Sequence, residues 1–121
     1  MIDNNSLHSD QKVHEMRLAA LPFSQIERRE KTLEVRLFDE KRRKISVGDG
    51  ILFRERETGR ELFARVTALY PFSTFKEAFL ALSPVKMGFP AGADGGEMHA
   101  YYNPEEEKKW GVLVIEISPL P

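Results

Sequence analysis

The sequence predicts an α+β fold: a small, curled antiparallel or mixed sheet of about five strands with two or three short helices beside it. Two observations carry this. Segments with strand-like alternation come largely in one run, and segments with helical spacing lie before and after it. The chain has 121 residues, 41% hydrophobic and 31% charged, which suits one modest core and gives no sign of a second domain.

In chain order, residues 1–12 are polar and read as a disordered tail, leaving 13–121 as a single domain. MRLAAL, residues 16–21, is short and apolar and reads as an edge strand. PFSQIERR, residues 22–29, opens on Pro22, which suits a first helical turn, and Phe23 and Ile26 are spaced to face inward together. TLEVRLF, residues 32–38, alternates as the second strand. Gly48-Asp49-Gly50 marks a turn. ILFRERE (51–57) and RELFARVTALY (60–70), joined through Thr58-Gly59, read as a hairpin. Ser73 is a candidate N-cap for TFKEAFLAL, in which Phe75, Phe79 and Leu82 recur at helical spacing. Residues 83–100 read as a long loop. Asn103-Pro104 opens a short helix with acidic residues first and lysines last, ending at Gly111, and VLVIEI (112–117) is the final strand. The expected core is Leu33, Val35, Leu37, Ile51, Phe53, Val66, Val112, Val114 and Ile115, with Ile115 of opposite parity to Val112 and Val114.

Several function classes lack their signatures. There is no cysteine, so no disulfide or thiolate site, which is compatible with a reducing cytoplasm. No apolar run is long enough to span a bilayer, and MIDNNSLHSDQ lacks the features of a secretory signal. No P-loop, dinucleotide fingerprint or G-x-S-x-G occurs. His8, His14 and His99 are scattered, so neither a metal nor another cofactor is expected. The net charge of −1 argues against strong general affinity for nucleic acid. The charge is nevertheless uneven, basic over residues 27–65 and acidic over 66–121.

The chemistry concentrates in EKTLEVRLFDEKRRK, residues 30–44. On an extended strand Thr32, Glu34 and Arg36 face away from Leu33, Val35 and Leu37, with Glu34 and Arg36 about 6.6–7 Å apart. Exposed, that pair is worth about 0–1 kcal/mol. Covered, its charges must be paired or hydrogen-bonded. In a cleft, an acceptor beside a planar donor can read the edge of a base, and Lys31 can hold a phosphate or act as a nucleophile. Lys41, Arg42, Arg43 and Lys44 would extend a basic path for a phosphate backbone. Tyr101 and Tyr102 are candidate stacking platforms. Trp110 and His99 are better accounted for by packing or surface positions.

Lys31, Glu34 and Arg36 also give the stretch a family resemblance. RREKTLEVRLFDEKRRKISVGD resembles the signature of the ASCH domain, a relative of the PUA-like RNA-binding fold, whose motif is G-x-K-x-x-E-x-R. Arg29 stands at the glycine position. Gly48-Asp49 and Lys109-Trp110-Gly111-Val112 are similar to the family as well. The resemblance implies a small PUA-like β-barrel of about five to six strands with two or three short flanking helices. It also implies a cleft lined by the motif residues and an RNA or modified-nucleotide ligand. Some relatives are enzymes. Those that hydrolyse N4-acetylcytidine carry a threonine three residues after the lysine, where this chain has Glu34. Others are ribonucleases. If the chain is an enzyme, the resemblance makes Lys31 and Glu34 the catalytic candidates.

Overall fold

The computed structural model describes residues 11–121; His8 and most of the expected N-terminal tail lie outside the described residues. His14, Met16 and Leu18 alternate with more exposed neighbours, and the first strand follows that alternation as β1, Val13–Leu18. The strand expected at 16–21 therefore starts and ends three residues early. Ala20 and Leu21 belong to the helix α1, Ala20–Glu27, where Pro22 sits in the first turn and its missing N–H costs no helical bond. β2 is Leu33–Leu37, β3 Gly50–Glu55 and β4 Glu61–Phe72. The hairpin between β3 and β4 turns through Gly59 at φ +75°, and the Glu55 carboxylate accepts from the Glu57 and Thr58 amides.

α2 is Phe75–Ala81, capped by Thr74 rather than Ser73. The pattern behind this is T-x-x-E: Thr74 Oγ1 accepts from the Glu77 amide at 3.1 Å, and Glu77 Oε1 accepts from the Ser73 amide at 3.0 Å. The loop expected over 83–100 contains two 3₁₀ turns, Val85–Met87 and Gly96–Ala100, and another covers Arg42–Lys44. α3, Pro104–Trp110, has a complete capping box between Asn103 and Glu106 and ends at Gly111; β5, Val112–Pro119, follows.

The five strands form one mixed sheet in the order β1-β3-β4-β5-β2, with β1 parallel to β3 and the other pairs antiparallel. β4 is long and carries an irregularity between Val66 and Ala68 that bends it along β5. The sheet curls into a half-barrel, giving the α+β fold predicted. Its two edges, β1 and β2, approach each other. Arg36 Nη2 of β2 donates to the Arg17 carbonyl of β1 at 3.2 Å, and Lys41 Nζ donates to the Glu15 carbonyl at 3.0 Å.

All nine residues expected in the core are buried, but they divide between two faces of the sheet. Ile51, Phe53, Val66 and Ile115 join Met16, Leu18, Phe23 and Ile26 under α1. Leu33, Val35, Leu37, Val112 and Val114 pack with Phe75, Phe79, Met87 and Met98 on the other face. β5 explains the division: its unbroken apolar run is buried on both sides, so successive residues feed different cores.

Candidate functional site

The β2–β5 register sets the charged motif in place. Glu34 pairs with Ile115 and Arg36 with Leu113, and paired residues point to the same face. Glu34 and Arg36 therefore project into the concave side of the half-barrel, on the face that Ile115 and Leu113 share with the α1 core. Where that apolar filling stops, at the seam between β1 and β2, a cleft of about 680 Å³ opens. Its walls come from the end of β1, from α1, from β2 and from the segments around residues 87–89 and 98–102.

The floor is a buried ionic triad. Glu34 Oε1 lies 3.1 Å from Lys31 Nζ, and Glu34 Oε2 accepts from Arg36 Nε at 2.6 Å. Only 6% of the Glu34 side chain is exposed. Burial pushes its carboxyl up, but the Lys31 ammonium and the Arg36 guanidinium together outweigh burial and hold it below the ordinary carboxylate value. For Arg36, burial works against the charge, while Glu34, and then Tyr102, raise it above the ordinary arginine value. The covered alternative for this pair thus describes the protein, and the charges are paired as burial requires.

Lys31 has a second job. Its ammonium donates to the Met87 carbonyl at 2.6 Å and to the Leu33 carbonyl at 3.0 Å, besides facing Glu34. An ammonium has three donors, and all three are engaged. One of them pins the loop after α2 against the site. That loop turns at Gly88, φ +90°, where an added Cβ would stand 2.7 Å from Gln25 Oε1 and 3.2 Å from Lys31 Cδ. The positive φ is what favours glycine here, and a side chain would in addition displace the ends of Gln25 and Lys31.

The turn before β2 reports on the departure at Arg29. Arg29 has φ +63°, the left-handed conformation that a glycine adopts without strain. The Arg29 guanidinium donates to the Pro119 carbonyl at 3.3 Å.

The other candidates fall at different distances from the cleft. Tyr101 and Tyr102 both line it. Tyr101 is 69% exposed at the rim, whereas Tyr102 is half-buried and stacks on Phe75 at 5.8 Å between centroids. Thr32 does not line the cleft; its amide donates to the Lys86 carbonyl and its own carbonyl accepts from Ile117. Lys41–Lys44 also lie outside the lining. Arg42 is held by Asp39 at 2.9 Å, and Arg43 covers the Phe38 ring and donates to the Trp110 carbonyl. His14 pairs with Asp49 and His99 with Glu107, each at 2.9 Å. Glu107 also accepts from the Phe75 amide, tying α3 to the start of α2. Trp110 packs against the second core. Among the described residues no group of three metal-ligating side chains comes together. No helix among them is long and apolar enough to cross a membrane.

Sequence reasoning missed the cleft's upper wall. Met87, Gly88, Phe89, Met98 and Ala100 come from the stretch read as a plain loop. It also missed Arg17 and Arg56, which line the mouth from β1 and from just beyond β3.

With this geometry in view, the relationship to known proteins is specific. The ASCH domain family model matches residues 16–121, and the chain belongs to that family. Among solved structures it is similar to the hypothetical protein PH0355, with 34% identity, 91% of this chain and 100% of that one covered, and a TM-score of 0.77. It is similar to protein PF0455 from Pyrococcus furiosus, with 36% identity, 89% and 97% covered, and a TM-score of 0.66. An ASCH protein from Zymomonas mobilis shares the fold at 15% identity, with 91% and 71% covered and a TM-score of 0.61. No curated protein matches the chain by sequence.

Proposed function

We propose that the cleft seats a base of RNA or of a modified nucleotide, with the base edge at Glu34 and Arg36 and its face against Tyr101. The observation that carries this is the buried Lys31–Glu34–Arg36 triad at the floor of an open cleft. A carboxylate has about four acceptor positions, and the two ion pairs use two, so Glu34 retains acceptor capacity toward the cleft. A guanidinium beside it supplies donors in a fixed plane. The volume falls within the roughly 300–1,000 Å³ of small-ligand sites. Family membership adds weight, since ASCH domains are generally RNA-binding-like. Thr32 would act through the backbone geometry of β2, and Lys41–Lys44 would add only a diffuse positive field outside the cleft, since Lys41, Arg42 and Arg43 already hold partners.

Binding is favoured over hydrolysis by the state of Lys31. An amine donating to three acceptors offers no lone pair to a carbonyl or phosphorus. The test is calorimetric titration of a nucleoside panel, including N4-acetylcytidine, and of a short single-stranded RNA into wild type and Tyr101→Ala, with chromatography of the products. Tyr101 is mostly solvent-exposed, so the fold should hold. Affinity should fall by about 1–3 kcal/mol for the stacked base, with no turnover. Equal affinities for the two proteins would remove Tyr101 from the site, and cleaved product would overturn the binding reading.

A further inference from the structure

We infer that Arg17 and Arg56 form a phosphate seat at the mouth of the cleft, so that the ligand is a phosphorylated nucleotide or an RNA strand rather than a bare nucleoside. This rests on the base-binding reading of the same cleft and goes beyond it by naming the group that the rim recognises.

The argument begins with how arginines are used in this molecule. Arg28, Arg36, Arg42, Arg54 and Arg60 each hold a carboxylate. Arg29, Arg43 and Arg65 each donate to a backbone carbonyl. Among the described residues only Arg17 and Arg56 have a guanidinium without a partner, and both line the cleft. Both are exposed. Apart from these two, the charged side chains of the lining are Lys31, Glu34 and Arg36, which satisfy one another on the floor. Among the described residues the rim is therefore left with two positive charges and no counter-charge in the lining.

Strand register brings the two arginines together. Arg17 of β1 pairs with Arg54 of β3, and the Arg56 amide, just past β3, donates to the Leu18 carbonyl at 2.9 Å. An offset of two residues between adjacent strands puts the two Cα atoms about 8 Å apart. Long side chains starting at that spacing can converge on one tetrahedral anion. Placing two like charges side by side without a carboxylate costs stability in the free protein, and a bound anion removes that cost. Guanidinium forks match phosphate oxygens two at a time. The floor meanwhile offers a base-sized polar edge, so one nucleotide spans floor and rim.

The experiment uses the full chain and three probe sets: the four ribonucleosides, the four nucleoside 5′-monophosphates, and a single-stranded oligoribonucleotide of mixed sequence. Each is titrated into wild type, Arg17→Gln/Arg56→Gln and Glu34→Gln between about 50 and 200 mM salt. Melting curves confirm that each variant is folded at the titration temperature. Wild type should prefer phosphorylated probes over nucleosides. In the double arginine variant the loss of affinity for the RNA across that salt range should shrink on the order of sevenfold, the counterion release of two contacts. Nucleoside affinity should not change. Glu34→Gln should weaken every base-bearing probe and leave the salt dependence as it was.

Monophosphates that reproduce the arginine effect identify a single nucleotide as sufficient, and an effect confined to the RNA identifies a strand phosphate. If the double variant binds phosphorylated probes as wild type does, with an unchanged salt slope, the phosphate seat is refuted while the base reading stands. If phosphorylated probes bind through the arginines but Glu34→Gln has no effect, the base reading fails and the seat survives. No binding of any probe overturns both.

Discussion

Replacing Glu34 by Gln tests the buried triad most directly. The two carboxylate oxygens face two different donors, Lys31 Nζ at 3.1 Å and Arg36 Nε at 2.6 Å. A glutamine keeps one oxygen and presents an NH₂ group in place of the other, so one of the two contacts becomes donor against donor. Removing one partner of a buried pair costs about 3–5 kcal/mol. Because Gln keeps one acceptor and Lys31 keeps its two carbonyls, the lower end applies, about 3 kcal/mol. In a domain of this size that lowers Tm by about 10 °C or more. Urea denaturation at neutral pH, with an unchanged m-value, gives the difference directly.

The pH dependence of the same variant carries a sign. The folded-state value of Glu34 lies below its unfolded value, about 4.3, so folding favours the ionised form. The resulting stability is fully present above the unfolded value and is lost as pH falls through the folded one. The gap between wild type and Glu34→Gln should therefore narrow in acid. A loss below about 1 kcal/mol at neutral pH, with no narrowing in acid, would mean the triad behaves as an ordinary surface pair and would refute the reasoning.

Three further outcomes are expected from denaturation measurements. Arg29 already occupies the left-handed region, so Arg29→Gly should not destabilise, whereas Arg29→Val should cost roughly 1–2 kcal/mol. Gly88→Ala should cost at least about 1 kcal/mol, since the new Cβ meets both a positive φ and the Gln25 side chain, and a neutral result would show that the loop shifts freely off α1. Burial raises the Asp49 carboxyl, but hydrogen bonds from His14, Ser46 and Lys12 outweigh it and hold it below its ordinary value. Asp49→Asn should thus cost about 1–3 kcal/mol at neutral pH and less as pH falls below the unfolded value of about 3.9.

Much of the fold was legible because local patterns decide it. The alternation of Leu33, Val35 and Leu37, the Thr58-Gly59 turn and the Asn103-Pro104 start each specify their element without help from distant residues. The misplaced boundaries have local causes that a stricter reading could catch. His14-x-Met16-x-Leu18 has the period of a strand and Ala19-Ala20-Leu21 does not, and Thr74-x-x-Glu77 is a better cap than Ser73. The site divides in the same way. Lys31, Glu34 and Arg36 lie within six residues, so their spacing announced them. Their burial did not follow from spacing, because it depends on Ile115 and Leu113 arriving opposite them from the far end of the chain.

The rim was invisible for a stronger reason. Arg17 and Arg56 are thirty-nine positions apart (56 − 17), and each sits in a segment rich in ordinary surface charge. What distinguishes them is the absence of a partner among the described residues, which appears only once the other arginines have found theirs. The dense run Lys41–Lys44 drew attention by composition, yet Lys41, Arg42 and Arg43 are each engaged with neighbouring backbone, carboxylate or ring. Charge density along a chain measures how many cations are present. Availability to a ligand depends on which of them the fold leaves unpaired, and in this half-barrel those arginines stand at the seam where β1 and β2 fail to close.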